Sequence, residues 1–398
     1  MHINQQIIEE AWQVLRSCTT SKGVVASSVE EENYQRIWSR DGVMAGLVSL
    51  FYNNEEGIKA LRLTLDTLWQ ARAKNGQIPS NVSLHQNEQV SFGTLAGRID
   101  ATTWWLVGAG VYLKYTNDGN MHERWKSAIA DAFALLHHWE LNQGGLVYTP
   151  LGGNWADEYL PQGYVLYDQL LRLWALRLFE KQDDIDCGAL TSEELFETIL
   201  ANYSENGNAQ RIKHPFAHGL AVQKKVPYFW YQFGPQGYDT RWDMAANALA
   251  LLLGVNKNTN SLVAFLKSLA QEQQNWLLPA FYPIVREGDK EWELLHSQFM
   301  FAFKNQPHHF HNGGAWPIFL GWLAFALAMN EQEESAAHIR DALIDAQMSL
   351  PSGKRFYEYW DTAFFQPGGK QPLAYSATGV LLASLGKDQI NNLHHLFA

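Results

Sequence analysis

The sequence has two cysteines in 398 residues, Cys18 and Cys187, far apart and in no C-x-x-C pair, which rules out a disulfide framework. It is also short of positive charge: 30 Lys and Arg against 41 Asp and Glu leave −11, with no basic run. That balance opposes the counterion release on which nucleic-acid binding depends, and makes anionic membranes poor partners. The opening "MHINQQIIEEAW" has no signal-peptide pattern, no stretch rich in Pro, Gly or Ser divides the chain, and no glycine-rich phosphate loop accompanies Arg40 or Arg241. These absences predict a cytoplasmic protein of one domain, with free thiols, no cofactor, no nucleic-acid or membrane partner, and self-association left open. The apolar run Gly313 to Asn330 sits at the short end of what could span a bilayer and has no basic flank, so it reads as a buried helix.

Alternating strand patterns are missing too, and apolar residues recur at helical spacing instead. Start and stop signals predict helices near 3–17, 42–52, 55–74, 100–115, 120–141, 163–181, 192–203, 241–254, 258–272, 314–330, 332–347 and 372–385, with short ones near 290–302 and the C-terminus. Six of them (42–52, 100–115, 163–181, 241–254, 314–330, 372–385) are apolar nearly all round, and most of those between carry a charged face. Strict alternation of buried and half-exposed helices predicts an all-α double ring, an (α/α)6 barrel.

Aromatic residues are abundant: 16 Trp, 16 Tyr and 20 Phe. They suit a sugar-binding cleft, where rings stack on pyranose faces, and equally a large core that uses aromatics. Their placement is more telling. "IWSRDG", "GRIDATTWW", "GGNWADEYLPQGY", "GYDTRWD", "HFHNGGAWP" and "FYEYWD" each lie just ahead of an inner helix, so the barrel gathers them around one funnel.

The funnel acids are Asp41, Asp100, Asp157, Glu158, Asp239, Asp243, Glu358 and Asp361. For a lone Asp at a helix start, an N-cap role stands level with a functional one, and Asp41 and Asp100 fit it individually. Asp157 and Glu158 sit in a loop between Trp155 and Tyr159, where burial and like charge can raise one pKa as a general acid requires; a solvated pair is the alternative. Glu358 precedes its helix and is placed to face the funnel. Hydrolysis of a glycosidic bond needs one such acid and one carboxylate on the other side of the ring. His308, His309 and His311 invite a metal, but no further ligand lies at a recognised spacing, so no metal is expected. Arg40 and Arg241 are expected to hold funnel carboxylates in place.

The series "WSRD", "IDATTWW", a loop acid, "YDTRWD", "HNGGAWP" and "YEYWD" resembles the neutral/alkaline invertases of glycoside hydrolase family 100 over roughly residues 34–384. More distantly it resembles the other six-hairpin (α/α)6 glycosidases: trehalases, glucoamylases, debranching-enzyme glucosidase domains and mannosylglycerate hydrolases. The resemblance implies an inverting hydrolase in which Asp157 is the general acid and Glu358 the general base. It also implies that Asp41 and Asp100 grip the glycone, and that Trp38, Arg40, His311 and Trp316 line its pocket. Trp155, Glu158, Arg241 and Tyr357 complete the expected substrate contacts. The chain departs from the invertases where Glu158, Tyr159 and Leu160 replace a basic stretch, and where Tyr167 and Asp168 replace a glutamate. Sucrose is therefore the first of several candidate α-glucosides. The competing readings are a sugar epimerase of the N-acylglucosamine 2-epimerase kind, with His311 shuttling a proton, and a non-catalytic sugar-binding protein.

Overall fold

The computed structural model describes residues 2–29, 33–84, 89–93, 97–141 and 144–398. Six inner helices, α2 (Ser39–Phe51), α4 (Ile99–Thr116), α6 (Leu166–Phe179), α9 (Met244–Leu252), α12 (Pro317–Met329) and α14 (Ala374–Ala383), pack side by side in that order, and α14 returns to α2. Between them run the outer helices α1 (His2–Cys18), α3 (Glu55–Gln70), α5 (Gly119–His138), α7 (Ser192–Tyr203), α10 (Thr259–Gln273) and α13 (Glu333–Met348). This is the expected (α/α)6 barrel. Three short helices, α8 (Pro215–Val222), α11 (Trp292–His296) and α15 (Lys387–Asn391), decorate it. Of these, α8 is not among the expected helices.

The inner helices are apolar all round because each is enclosed by two ring neighbours and an outer helix. In α12 every residue but Ala328 is buried, and its 13 residues reach only about 20 Å, too short for a bilayer core. No helix among the described residues is long and apolar enough to cross a membrane. Between α12 and α14 the backbones touch: a Cβ on Gly321 would lie 2.2 Å from the Gly379 carbonyl oxygen, so only glycine fits there.

The two rings differ in how their helices begin. Asn54, Asp118, Thr191 and Asn258 cap outer helices α3, α5, α7 and α10 with a side-chain oxygen. Inner helices α2, α4, α6, α12 and α14 start from Trp38, Arg98, Val165, Trp316 and Leu373, with no side-chain cap. Their opening N–H groups are satisfied by the backbone of the next hairpin. Ser39 N–H donates to the Ser80 carbonyl, Ile99 to Gly153, Leu166 to Tyr231, Met244 to Ala280, and Ala374 to Ala26, each at 2.9 Å. The first residue of α12 is Pro317, which has no N–H, so Ala315 makes the equivalent bond to Trp360 at 2.8 Å. Six backbone bonds thus run once around the funnel. Short antiparallel ladders reinforce them, such as Arg36–Trp38 with Asn81–Ser83, and Tyr359–Trp360 with Pro367–Gly368. Sequence periodicity missed these strands because two or three residues are too few to show alternation.

Candidate active site

A cavity of about 190 Å³ opens at the funnel end, with Trp38, Arg40, Asp41, Trp155, Asp157, Glu158, His311, Trp316 and Glu358 in its wall. Nine of the twelve residues expected from the sequence therefore meet in one place.

The loop carrying Asp157 is shaped by Gly152 at φ +70°, where a Cβ would press on the Asp157 carbonyl, and is tied down by the Ile99–Gly153 bond. The Asp157 carboxylate is ion-paired with Arg98. Burial pushes Asp157 up, but the guanidiniums of Arg98 and Arg40, with His311 and Lys304 nearby, hold it below the ordinary carboxylate range. Its neighbour Glu158 goes the other way, raised by burial despite Lys304 Nζ at 3.2 Å. The pair does split as two adjacent acids can, but Glu158 is the one raised.

Glu358 is buried, and its Oε1 accepts a 2.8 Å hydrogen bond from the Tyr34 hydroxyl. Burial pushes it up to about 7, against the opposing pull of Tyr34 and Lys304. Gly369 at φ +76° makes room for its carboxylate, since a Cβ there would meet Oε2 at 2.2 Å.

Beneath the cavity Asp100 is fully buried, with Arg40 Nη1 at 3.5 Å. Burial raises both Asp41 and Asp100 above the ordinary range. Neither caps a helix: each sits in a first turn behind Trp38 or Arg98. The guanidiniums of Arg40 and Arg98 stand 5.5 and 5.7 Å from the ring centre of Trp38. Elsewhere in the wall His311 stacks on Trp316 at 5.2 Å, and Trp155 meets both edge-on. Burial lowers His311 to about 3, so its imidazole is neutral at physiological pH.

Three expected residues do not reach the cavity wall. Asp100 lies behind Arg40. Arg241 pairs with Asp239 at 3.0 Å and donates to the Tyr159 hydroxyl at 2.7 Å, a buried cluster that satisfies it away from the cavity. Tyr357 is half-buried beside Glu358 but is not part of the wall. Two other acids are structural: Asp243 caps α9 through Ala246 N–H, and Asp361 accepts from Ala363, Phe364 and Gln366 N–H to brace a turn. The three histidines do not converge on an ion site: His308 bonds Thr362 and Arg286, while His311 stacks on Trp316.

Sequence reasoning missed Tyr34, Arg98, Lys304 and Tyr375, all in the cavity wall. Arg98 stands two residues before Asp100 in a stretch already singled out and could have been found; Lys304 carries no local signal.

The family described as alkaline and neutral invertase matches residues 194–387. Across nearly the whole chain there is 22% identity to the probable alkaline/neutral invertase F of Arabidopsis thaliana, covering 96% of this chain and 88% of that one. Neutral/alkaline invertase 3, chloroplastic, of Oryza sativa subsp. japonica is 23% identical, covering 94% and 72%. Among solved structures, the GH63 mannosylglycerate hydrolase of Thermus thermophilus superposes with a TM-score of 0.62 at 13% identity, covering 94% of this chain and 99% of that one. A GH78 family rhamnosidase of Bacillus gives 0.61 at 15%, covering 95% and 35%. The chain has the (α/α)6-barrel fold of these solved glycosidases and is similar over nearly its whole length to the alkaline and neutral invertases.

Proposed function

We propose that the protein is an inverting hydrolase of a small α-linked glucoside, with sucrose the first candidate, acting as one catalytic domain in the cytoplasm. The observation that carries this reading is that Asp157 and Glu358, from hairpins far apart in the chain, line the same narrow cavity. In this scheme Glu358 takes a proton from a water whose oxygen attacks the anomeric carbon. The bond from that carbon to the leaving oxygen breaks on the opposite face, and Asp157 gives the leaving oxygen its proton. Asp41, with Arg40 and Asp100 behind it, holds the glycone hydroxyls, and Trp38, Trp155 and Trp316 shape the apolar walls. A glycone filling the cavity dehydrates Asp157, and that raises its pKa toward the range an acid needs.

One observation favours a second assignment of roles. In the free site Arg98 keeps Asp157 ionised while Glu358 is the better proton holder, so Glu358 could donate and Asp157 receive. The epimerase reading loses support because His311 is too weakly basic to shuttle protons near neutral pH.

The test is proton NMR of the protein with sucrose, trehalose, maltose, isomaltose and glucosylglycerate, following the anomeric signals through the first minutes. Early β-glucose from one of them supports inversion and identifies the substrate. Early α-glucose means retention and overturns the scheme, and no turnover of any of them rejects these five substrates and moves weight to the epimerase or sugar-binding reading, or to a substrate outside the panel.

A further inference from the structure

Phe299, Met300 and Phe301 are consecutive and exposed, at 47%, 52% and 84%. Both flanks of this run are fixed. Before it, Ser297 and Gln298 N–H donate to the Glu293 and Leu295 carbonyls at the end of α11. After it, the Phe303 ring packs on Trp292 and His296, with centroids 5.8 and 4.5 Å away, Lys304 pairs with Glu158, the Asn305 side chain donates to the Glu158 carbonyl, and Asn305 Oδ1 accepts from Asn312 N–H at 3.1 Å. Single exposed apolar residues need no explanation, but three in a row do when they sit at the edge of a ligand cavity. Met300 and Phe301 are both part of the cavity wall.

The cavity itself is small. At about 190 Å³ it falls below the roughly 300–1,000 Å³ typical of pockets that bury a whole ligand, which suits one sugar ring. With Asp157 as the acid, the group joined to that ring lies on the Asp157 side. Glu158 follows Asp157 in the chain and pairs with Lys304 at 3.2 Å, and Lys304 follows the exposed run by three residues.

We propose that Met300 and Phe301 form the platform for the leaving group, and that the leaving group is itself a ring sugar whose apolar face lies on Phe301 while Glu158 and Lys304 meet its hydroxyls. This rests on the hydrolase reading above and narrows it to disaccharide-like substrates. A short open-chain leaving group such as glycerate is too small to cover Phe301.

The experiment compares kcat/KM for the disaccharide that is turned over with that for α-glucosyl fluoride, whose leaving group has no ring. Phe301→Ala is expected to lower kcat/KM for the disaccharide about fivefold, mainly through KM, and to leave the fluoride unchanged. Phe301→Tyr keeps the ring and is expected to keep the disaccharide rate. Equal losses on both substrates, or no loss on either, overturn the platform. Wild-type protein that hydrolyses the fluoride but no ring-linked glucoside also overturns it while leaving the hydrolase reading intact. Protein that cleaves neither the fluoride nor any disaccharide rejects the hydrolase reading, and the platform with it.

Discussion

Asp157 and Glu358 line one cavity and live in opposite surroundings. Around Asp157 stand cations, with Arg98 paired to it and Arg40 and Lys304 close by; Glu358 has a neutral hydroxyl, Tyr34, as its hydrogen-bond partner, shares Lys304 among those cations, and feels the negative charge of Asp41. Both are enclosed, yet one is held down and the other pushed up to about 7. Enclosure alone does not fix the charge of a carboxyl group; the partner decides.

The sharpest way to break this comparison is to remove each carboxylate in turn. Glu358→Gln and Asp157→Asn are each expected to lower kcat on the disaccharide about a thousandfold. On α-glucosyl fluoride, which leaves without a proton, Asp157→Asn is expected to keep most of its rate and Glu358→Gln to lose it. The reverse pattern exchanges the two roles.

A smaller effect comes from pH. A base must be ionised to work, and Glu358 loses its proton near 7, so kcat/KM is expected to rise as pH climbs through about 7. The Tyr34 hydrogen bond favours the ionised form, so Tyr34→Phe is expected to move that limb upward by about one unit. A profile that falls through 7 instead makes Glu358 the proton donor.

The smallest effect extends the contrast to acids that sequence cannot separate. Asp243→Ala removes the cap of α9 and is expected to cost about 1 kcal/mol in chemical denaturation while kcat/KM stays unchanged. A loss of turnover at constant stability would place Asp243 in the catalytic machinery.

Periodicity was enough to read the barrel, because enclosure on every side leaves an unmistakable mark on the inner helices. Most of the funnel was legible for the same reason: Trp, Asp and Glu clusters recur at one point of the repeat. Charge states were not legible. Glu158 rather than its neighbour is raised because Arg98, 59 positions before Asp157 and on another hairpin, pairs with Asp157. Asp41, Asp100 and Asp243 look alike in the sequence, since each stands at an inner-helix start. Asp100 and Asp41 stand two and three residues past the cap position that Asp243 occupies, so only Asp243 is a cap. Arg241 does hold a funnel carboxylate, Asp239, two residues before it; what the sequence hid is its second partner, Tyr159, which folding brings to it from another hairpin and which keeps it out of the cavity wall.

The six backbone bonds around the funnel bear on how such a protein can change over generations. They are made by peptide groups, so apart from a switch to proline no substitution at the rim can delete one, and Pro317 shows that even this is accommodated by moving the bond two residues back. The shape of the opening is inherited separately from the side chains that decorate it. A lineage can therefore trial new residues at the rim, and new sugars with them, without first having to rebuild the frame that keeps its catalytic acids in register.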